Sequence, residues 1–308
     1  MLLYCNHYLL LHLIESASTD NTKIRATYRD IKNIQKTKSL FESHRKSSLF
    51  DTIDWIQADI IDVPSLEKAF VEIEYVYHCA AVISFDPKDE NLLRKTNIEG
   101  TANMVNLSLA YKVKKLCYVS STSALGDLSG NEIMITEETE WNPEKPHSDY
   151  AISKYGAEME IWRGQQEGLD VVVNPGVIIG PGFFDQGSGE LFRKVKNGLQ
   201  FYTLGTTGFI AVSDVVILME KLMKSDIINQ RFILIAQNIV YRDVLHMIAD
   251  ALKVKRPKYH ATPLLMGFLW RIDLILCLLL KRKRQITKAT AKASYSLHQY
   301  SNEKIKLT

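Results

Sequence analysis

Glycine is missing from the first third of this chain: the sequence has 15 glycines in 308 residues, and none precedes Gly100. Backbone turns that need positive φ, or an approach too close for a Cβ, are therefore disfavoured there. Cysteine is scarce too. Cys5, Cys79, Cys117 and Cys277 lie far apart with no Cys-x-x-Cys, which argues against a disulfide framework and against a zinc site. No metal is expected. Charge of one sign is not in excess: 38 basic against 35 acidic residues leave +3, so charge gives no reason to expect a nucleic-acid partner. Tyr8 to Glu15 is too short for a membrane span and lacks the basic start and small-residue cleavage site of a signal peptide. What is left is a globular protein, 46% hydrophobic and 24% charged, with a substantial core. A reducing, cytoplasmic setting fits the thiols.

Strand-like runs at Lys23–Arg29, Ile53–Ala58, Glu74–Val82, Lys115–Val119 and Asp170–Gly176 alternate with helical patterns at Tyr8–Glu15, in the polar stretch to Ser48, at Ser65–Glu72 and at Glu90–Tyr111. Ser65 is the expected cap of the third helix. Alternation with near-continuous apolar strands predicts an α/β fold whose parallel sheet is covered on both faces. Beyond Pro175 the pattern changes to a glycine-rich loop through Gly189, a short helix at Glu190–Leu199, an amphipathic helix ending at Lys224, a strand at Arg231–Ile235 and a helix at Tyr241–Leu252. Loops at the carboxyl ends of parallel strands bind ligands, so the glycine-rich segment is a candidate substrate wall. The division is 1–175 for a dinucleotide-binding part and 176–308 for a smaller substrate-binding part, with 206–240 returning to the sheet. Leu264–Leu280 is strongly apolar, is interrupted by Arg271 and Asp273, and runs into Lys281-Arg-Lys-Arg284. A buried or dimer-facing helix is the first expectation, with a peripheral membrane contact and a true span as the other readings.

The chemistry points to Tyr150-Ala-Ile-Ser-Lys154. A four-residue step on a helix puts the phenol and the ammonium on one face, where the cation favours the ionised phenol. A tyrosine titrating near 10 is too weak an acid for efficient proton transfer at neutral pH, and a neighbouring cation is the simplest correction. Tyr28/Lys32, Tyr111/Lys115 and Tyr300/Lys304 share the spacing. Only Tyr150 follows a strand ending in Ser120-Ser121 and precedes a second strand-like run. Ser121 is placed to hold a substrate oxygen, and the set suggests hydride chemistry at a carbinol or carbonyl carbon.

These residues give the chain a resemblance, over residues 8 to 305, to the extended short-chain dehydrogenases/reductases, the NAD(P)-dependent epimerase/dehydratase superfamily. It looks most like the dihydroflavonol-reductase-like and 3β-hydroxysteroid-dehydrogenase-like branch. The motifs are His78-Cys-Ala-Ala81, Asn97-Ile-Glu-Gly-Thr101, Ser120-Ser121, Tyr150 to Lys154, Asn174-Pro-Gly176, Gly180-Pro-Gly182 and Val212-Ser-Asp214. The resemblance implies a Rossmann-type doubly wound sheet, with Tyr150 as general acid/base, Lys154 also on the nicotinamide ribose, and Ser121 on the substrate oxygen. It further implies that Asp59 and Ile60 meet adenine, that Ala80 and Ala81 line the cofactor, that Asn97 is a structural or relay position, and that Pro175 and Gly176 border the nicotinamide. Arg29 stands where an acidic residue would favour NAD and where an arginine meets a 2′-phosphate, which tilts the expectation towards NADP. A homodimer pairing helices around Asn97–Tyr111 and Tyr150–Gln165 is a further implication.

Such enzymes open with a strand and a glycine-rich turn that brings backbone amides to the pyrophosphate. Here Met1-Leu-Leu-Tyr-Cys-Asn-His7 stands at that place, followed at once by a helical Tyr8-Leu-Leu-Leu-His-Leu13. The expectation is a sheet without its first strand. A fragment or mis-started reading of an ordinary enzyme and a divergent member that no longer binds cofactor both explain it. Three functions follow: an NAD(P)-dependent oxidoreductase acting on a small, hydrophobic secondary alcohol or ketone; a nucleotide-sugar epimerase or dehydratase using the same three residues; and a non-catalytic binding protein.

Overall fold

The computed structural model describes residues 4–308 except 21, 131, 166–169, 185–186 and 281–283. Helix α1 (Tyr4–Asp20) buries Leu9, Leu11, Ile14 and Ala17, and the chain then enters strand β1 (Arg25–Tyr28). Helix α2 (Ile31–Ser43) starts where the Asp30 carboxylate accepts the Lys32 amide. A short α3 (Ser47–Phe50) leads to β2 (Asp54–Gln57), which pairs in parallel with β1. Phe41, Phe50, Ile53 and Ala26 form the core of this small unit with Leu11 and Ile14 of α1.

Helix α4 (Val63–Phe70) has Asp62 at its N-cap, and Ser65, expected there, lies inside the first turn. The Ser65 hydroxyl donates to the Asp62 carbonyl and accepts the Asp59 amide, so it ties the helix start to the end of β2. Strand β3 (Tyr75–His78) follows, then α5 (Glu90–Leu93), which continues through a π-helical stretch at Arg94–Glu99 into α6 (Gly100–Ala110). Next come β4 (Lys115–Val119), α7 (Asp149–Gly164) and β5 (Asp170–Pro175). The remainder is β6 (Val177–Ile179), α8 (Gly189–Lys196), β7 (Phe201–Tyr202), β8 (Thr206–Ala211), α9 (Val212–Lys224), β9 (Gln230–Leu234), β10 (Gln237–Val240), α10 (Tyr241–Ala251), β11 (Tyr259–His260), α11 (Pro263–Leu280), α12 (Lys288–Ala293) and α13 (Glu303–Leu307). Val177–Ile179 is thus a strand inside the segment expected as a glycine-rich loop, pairing in parallel with β8.

The main sheet has the order β3-β4-β5-β9 and is parallel throughout. Alternation within it is strict. Cys117, Val119, Val171 and Val173 face α1 and α9, whereas Leu116, Tyr118 and Val172 face α4, α6 and α7. The sheet is therefore the middle layer of a Rossmann-like sandwich. A second sheet, β10-β8-β6, carries the smaller part, with α8 and α10 packed around Phe209, Val244 and Ile248.

Among the described residues β1 pairs only with β2, and β3 only with β4. No strand among the described residues joins the two units. A cavity of about 880 Å³ runs through the interval, lined by Leu9, Leu13, Ala26, Tyr28, Tyr75 and Tyr77. Helix α1 and side-chain packing hold the units together, with Glu220 of α9 accepting from Ser16 at 2.6 Å and lying 2.6 Å from the His12 ring. Helix α11 departs from the buried form of its first expectation, not from the dimer-facing one. Its outer face is not buried in this chain: Leu264 is 82% exposed and Leu279 73%.

Candidate active site

Because β3, β4 and β5 run in parallel, their carboxyl ends share one rim, where Ala80-Ala81, Ser120-Ser121 and Pro175-Gly176 stand. Helix α7 meets that rim, capped by Ser148, whose hydroxyl accepts the Ala151 amide at 3.2 Å. Successive four-residue steps align Tyr150, Lys154 and Glu158 on one face, and all three are buried. The Lys154 ammonium donates to the Tyr118 hydroxyl at 2.6 Å and to the Val119 carbonyl at 2.8 Å. Burial pushes the Tyr118 phenol well above its ordinary range, so it meets the cation as a neutral dipole. Two neutral oxygens thus fix Lys154 at the end of β4, and α7 packs against the short turn Thr122–Ala124 that follows.

Ser121 has extended backbone geometry and stays half-buried at that turn. Its hydroxyl oxygen accepts the Ser123 amide at 3.1 Å, which leaves the hydroxyl proton to donate outward. The Tyr150 ring meets Phe85 edge-on at 5.5 Å and clusters with Val82, Ile83 and Leu93. One wall beside the phenol is therefore apolar.

The other expected positions take several roles. Asn97 is fully buried; its amide oxygen accepts the Val82 amide at 2.7 Å, and its nitrogen donates to the Val82 carbonyl at 3.0 Å and to the Ser153 hydroxyl at 2.9 Å. It clamps the loop after β3 to α7. Ala81 is buried and Ala80 half-buried, the latter lining the cavity beside β3. Arg29 and Asp59 follow the ends of β1 and β2, with Arg29 Nη1 3.9 Å from an Asp59 oxygen, and the other oxygen accepts the Ile61 amide. Ile60 packs onto Gly100, where a Cβ would stand 2.6 Å from Ile60 Cδ1. Pro175 closes β5, and a Cβ on Gly176 would lie 2.3 Å from the Gly208 carbonyl oxygen, so glycine there lets β8 come close.

Sequence reading did not single out Tyr118, Glu158, Arg231 or Phe85. Glu158 had a signal, the next four-residue step after Lys154. Its carboxyl, pushed up by burial, accepts the Asn174 side-chain amide at 2.5 Å and lies 3.3 Å from Arg231. The Tyr118–Lys154 contact spans 36 positions and leaves no local trace.

The residues fit the ribose-and-nicotinamide half of a dinucleotide: a buried cation on a helix face, a phenol beside it and a hydroxyl at the strand end. The diphosphate half is different. The first turn of α1 presents side chains, with the His7 ring stacked 4.7 Å from Phe183 and the Tyr8 hydroxyl donating to the Pro181 carbonyl at 2.9 Å. They close the interval between α1 and the loop after β6, and the described residues make no glycine cradle there.

Two histidines near this rim are neutral when folded. Burial lowers His7 from 6.5 to about 4 and His78 from 6.5 to about 3, with Lys36 and Lys154 adding repulsion in turn. Below the unfolded value of 6.5 the unfolded chain takes up protons that the folded one refuses, so stability falls with pH through about 4. Each ring is expected to cost up to about 1.4 kcal/mol per pH unit in that window. Thermal unfolding followed across acidic pH checks it; a transition that does not move between pH 6.5 and 4 would contradict neutral, buried rings.

A model of the NAD dependent epimerase/dehydratase family matches residues 11–234, more than half of the chain. Anthocyanidin reductase of Arabidopsis thaliana is 29% identical over 276 residues, covering 82% of this chain and 77% of that protein. Among solved structures, yeast methylglyoxal/isovaleraldehyde reductase complexed with NADPH superimposes with a TM-score of 0.71 at 18% identity, covering 99% of this chain and 90% of the other. UDP-glucuronic acid 4-epimerase from Bacillus cereus, in complex with UDP-glucuronic acid and NAD, gives a TM-score of 0.73 at 15% identity, covering 99% and 89%. At those identities the two structures speak for the fold alone. On its sequence match and its parallel sheet, this chain belongs to the NAD-dependent epimerase/dehydratase family of extended short-chain dehydrogenases/reductases.

Proposed function

We propose that the site serves NAD(P)-dependent redox chemistry at a secondary alcohol or ketone carbon of a small, hydrophobic substrate. One observation carries this reading: Tyr150 and the buried Lys154 share a helix face that Lys154 pins to the end of β4, next to Ser121. Ser121 donates a hydrogen bond to the substrate oxygen. Tyr150 gives its proton to that oxygen when a ketone is reduced and takes it back when an alcohol is oxidised. Lys154 stabilises the phenolate between those events and faces the nicotinamide ribose. The dinucleotide, when bound, supplies or accepts the hydride. Phe85, Val82 and Ile83 beside the phenol favour an apolar substrate over a charged diphosphate, and the reductase names among the relatives agree with this. Pro175 and Gly176 border the ring, Ala80, Ala81, Asp59 and Ile60 the rest of the cofactor. Arg29 is the residue to meet a 2′-phosphate, which favours NADP.

Turnover also requires the diphosphate to be held. Lys154→Met is expected to weaken dinucleotide binding and to slow turnover by at least about tenfold each, because one cation serves both ribose and phenol. NADPH and NADH titrations with single-turnover rates check this, and unchanged affinity would take Lys154 off the ribose. An epimerase using the same residues returns the hydride to its substrate, so net oxidation of NADPH by a ketone separates the two chemistries.

A further inference from the structure

Helix α11 is inside out. Leu264, Phe268, Ile272, Ile275 and Leu279 recur at helical spacing on one face and are 48–82% exposed. The opposite face holds the helix's one carboxylate: Asp273 is buried and accepts the Gln285 and Ile286 amides at 3.0 and 3.2 Å. A soluble surface helix has the reverse arrangement, and a contiguous exposed apolar stripe of this length marks an interaction surface.

Charge says what covers it. Across residues 251–302 Asp273 is the single acidic residue, while Lys253, Lys255, Arg256 and Lys258 precede the helix and Lys281, Arg282, Lys283, Arg284, Lys288 and Lys292 follow it. The chain as a whole carries only +3. Of these cations Arg256 is bound to Asp250, and Arg284 turns inward to the Trp270 and Ile286 carbonyls. Lys255, Lys258, Lys288 and Lys292 are exposed. An apolar stripe flanked at both ends by basic residues, with its own acid sequestered, complements an anionic lipid surface.

We infer that α11 docks this protein in the plane of an anionic membrane, its stripe in the headgroup–acyl boundary and the flanking cations on lipid phosphates and carboxylates. At 18 residues the helix is about 27 Å long, near the thickness of a bilayer core. It lies flat rather than crossing. Arg284, Gln285 and Ile286 lie back at its midpoint beside Asp273, and a crossing would place the polar groups of these four residues in hydrocarbon.

Co-sedimentation of the full chain with phosphatidylcholine vesicles, with and without phosphatidylserine, tests the inference. Binding is expected to rise at least about tenfold with phosphatidylserine and to fall again in high salt. Leu264→Ser with Phe268→Ser and Ile275→Ser should abolish sedimentation at an unchanged thermal midpoint, since all three side chains are exposed. Lys281→Ala with Arg282→Ala and Lys283→Ala should remove the phosphatidylserine dependence alone. Failure to bind either vesicle would overturn docking. So would a lipid-free dimer that the serine substitutions dissociate, which would make a second copy the occupant. Retention on vesicles after alkaline carbonate washing would replace the in-plane arrangement with a spanning one.

Discussion

Tyr150→Phe is expected to lower kcat by about 10²–10⁴-fold while the thermal midpoint stays within a few degrees. The substitution removes one oxygen. The ring keeps its contacts with Phe85, Val82 and Leu93, so the fold loses little apolar packing. What disappears, in the proposed reaction, is the proton that the substrate oxygen receives or returns, and nothing else on that helix face is placed to replace it: Lys154 already donates to Tyr118 and Val119, and Glu158 lies beyond it beside Asn174 and Arg231. NADPH affinity should hardly change, because the assigned ribose contact belongs to Lys154. Turnover within a few-fold of the parent would remove Tyr150 from the chemistry.

The second large effect concerns the interval between β1 and β3. A version of the chain given a short β-branched strand and a glycine-rich turn ahead of Tyr8 is expected to bind NADPH at least about 100-fold more tightly than the 308-residue chain. The two strands flanking the interval, each unpaired on that side among the described residues, are parallel to their own partners, so one inserted parallel strand serves both. It must be apolar on both sides, since Leu9 and Leu13 face it from one layer and Leu66 and Phe70 from the other. A glycine turn at its end supplies backbone amides to the diphosphate, and two charge-assisted hydrogen bonds of about 1.5 kcal/mol each account for the factor. Fluorescence titration and thermal shift with both chains decide it. Equal, saturable binding by the unextended chain would mean that His7 and Tyr8 move aside and another group holds the phosphates.

Much of this was legible from local pattern. Alternating strands and helices gave the parallel sheet, because strands buried on both faces must be apolar throughout, as Lys115–Val119 nearly is. The absence of glycine before Gly100 announced the interval beside β3. Ser65 was misplaced since Asp62, three residues earlier, suits a cap equally well, and tertiary contact with Asp59 decided between them. For Leu264–Leu280, apolar length alone does not say which side of a helix meets protein, and only the buried form of the expectation fails within this chain. Phe85 and Arg231 reach the site through the sheet's connectivity, which single-residue spacing does not encode.

The interval beside β3 also sets how the molecule breathes. Among the described residues no backbone ladder joins the β1–β2 unit to the main sheet, so opening it breaks side-chain contacts and the embrace of α1 but no strand pairing between the two. Amides in β1 and β2 can then exchange with solvent through a local excursion, whereas those of β4 and β5, with partners on both edges, wait for global unfolding. Arg29 and Asp59 ride on the looser unit and Tyr150 and Lys154 on the tighter one. The end of the groove proposed for the adenine is therefore the yielding jaw, and the end proposed for the chemistry the fixed one.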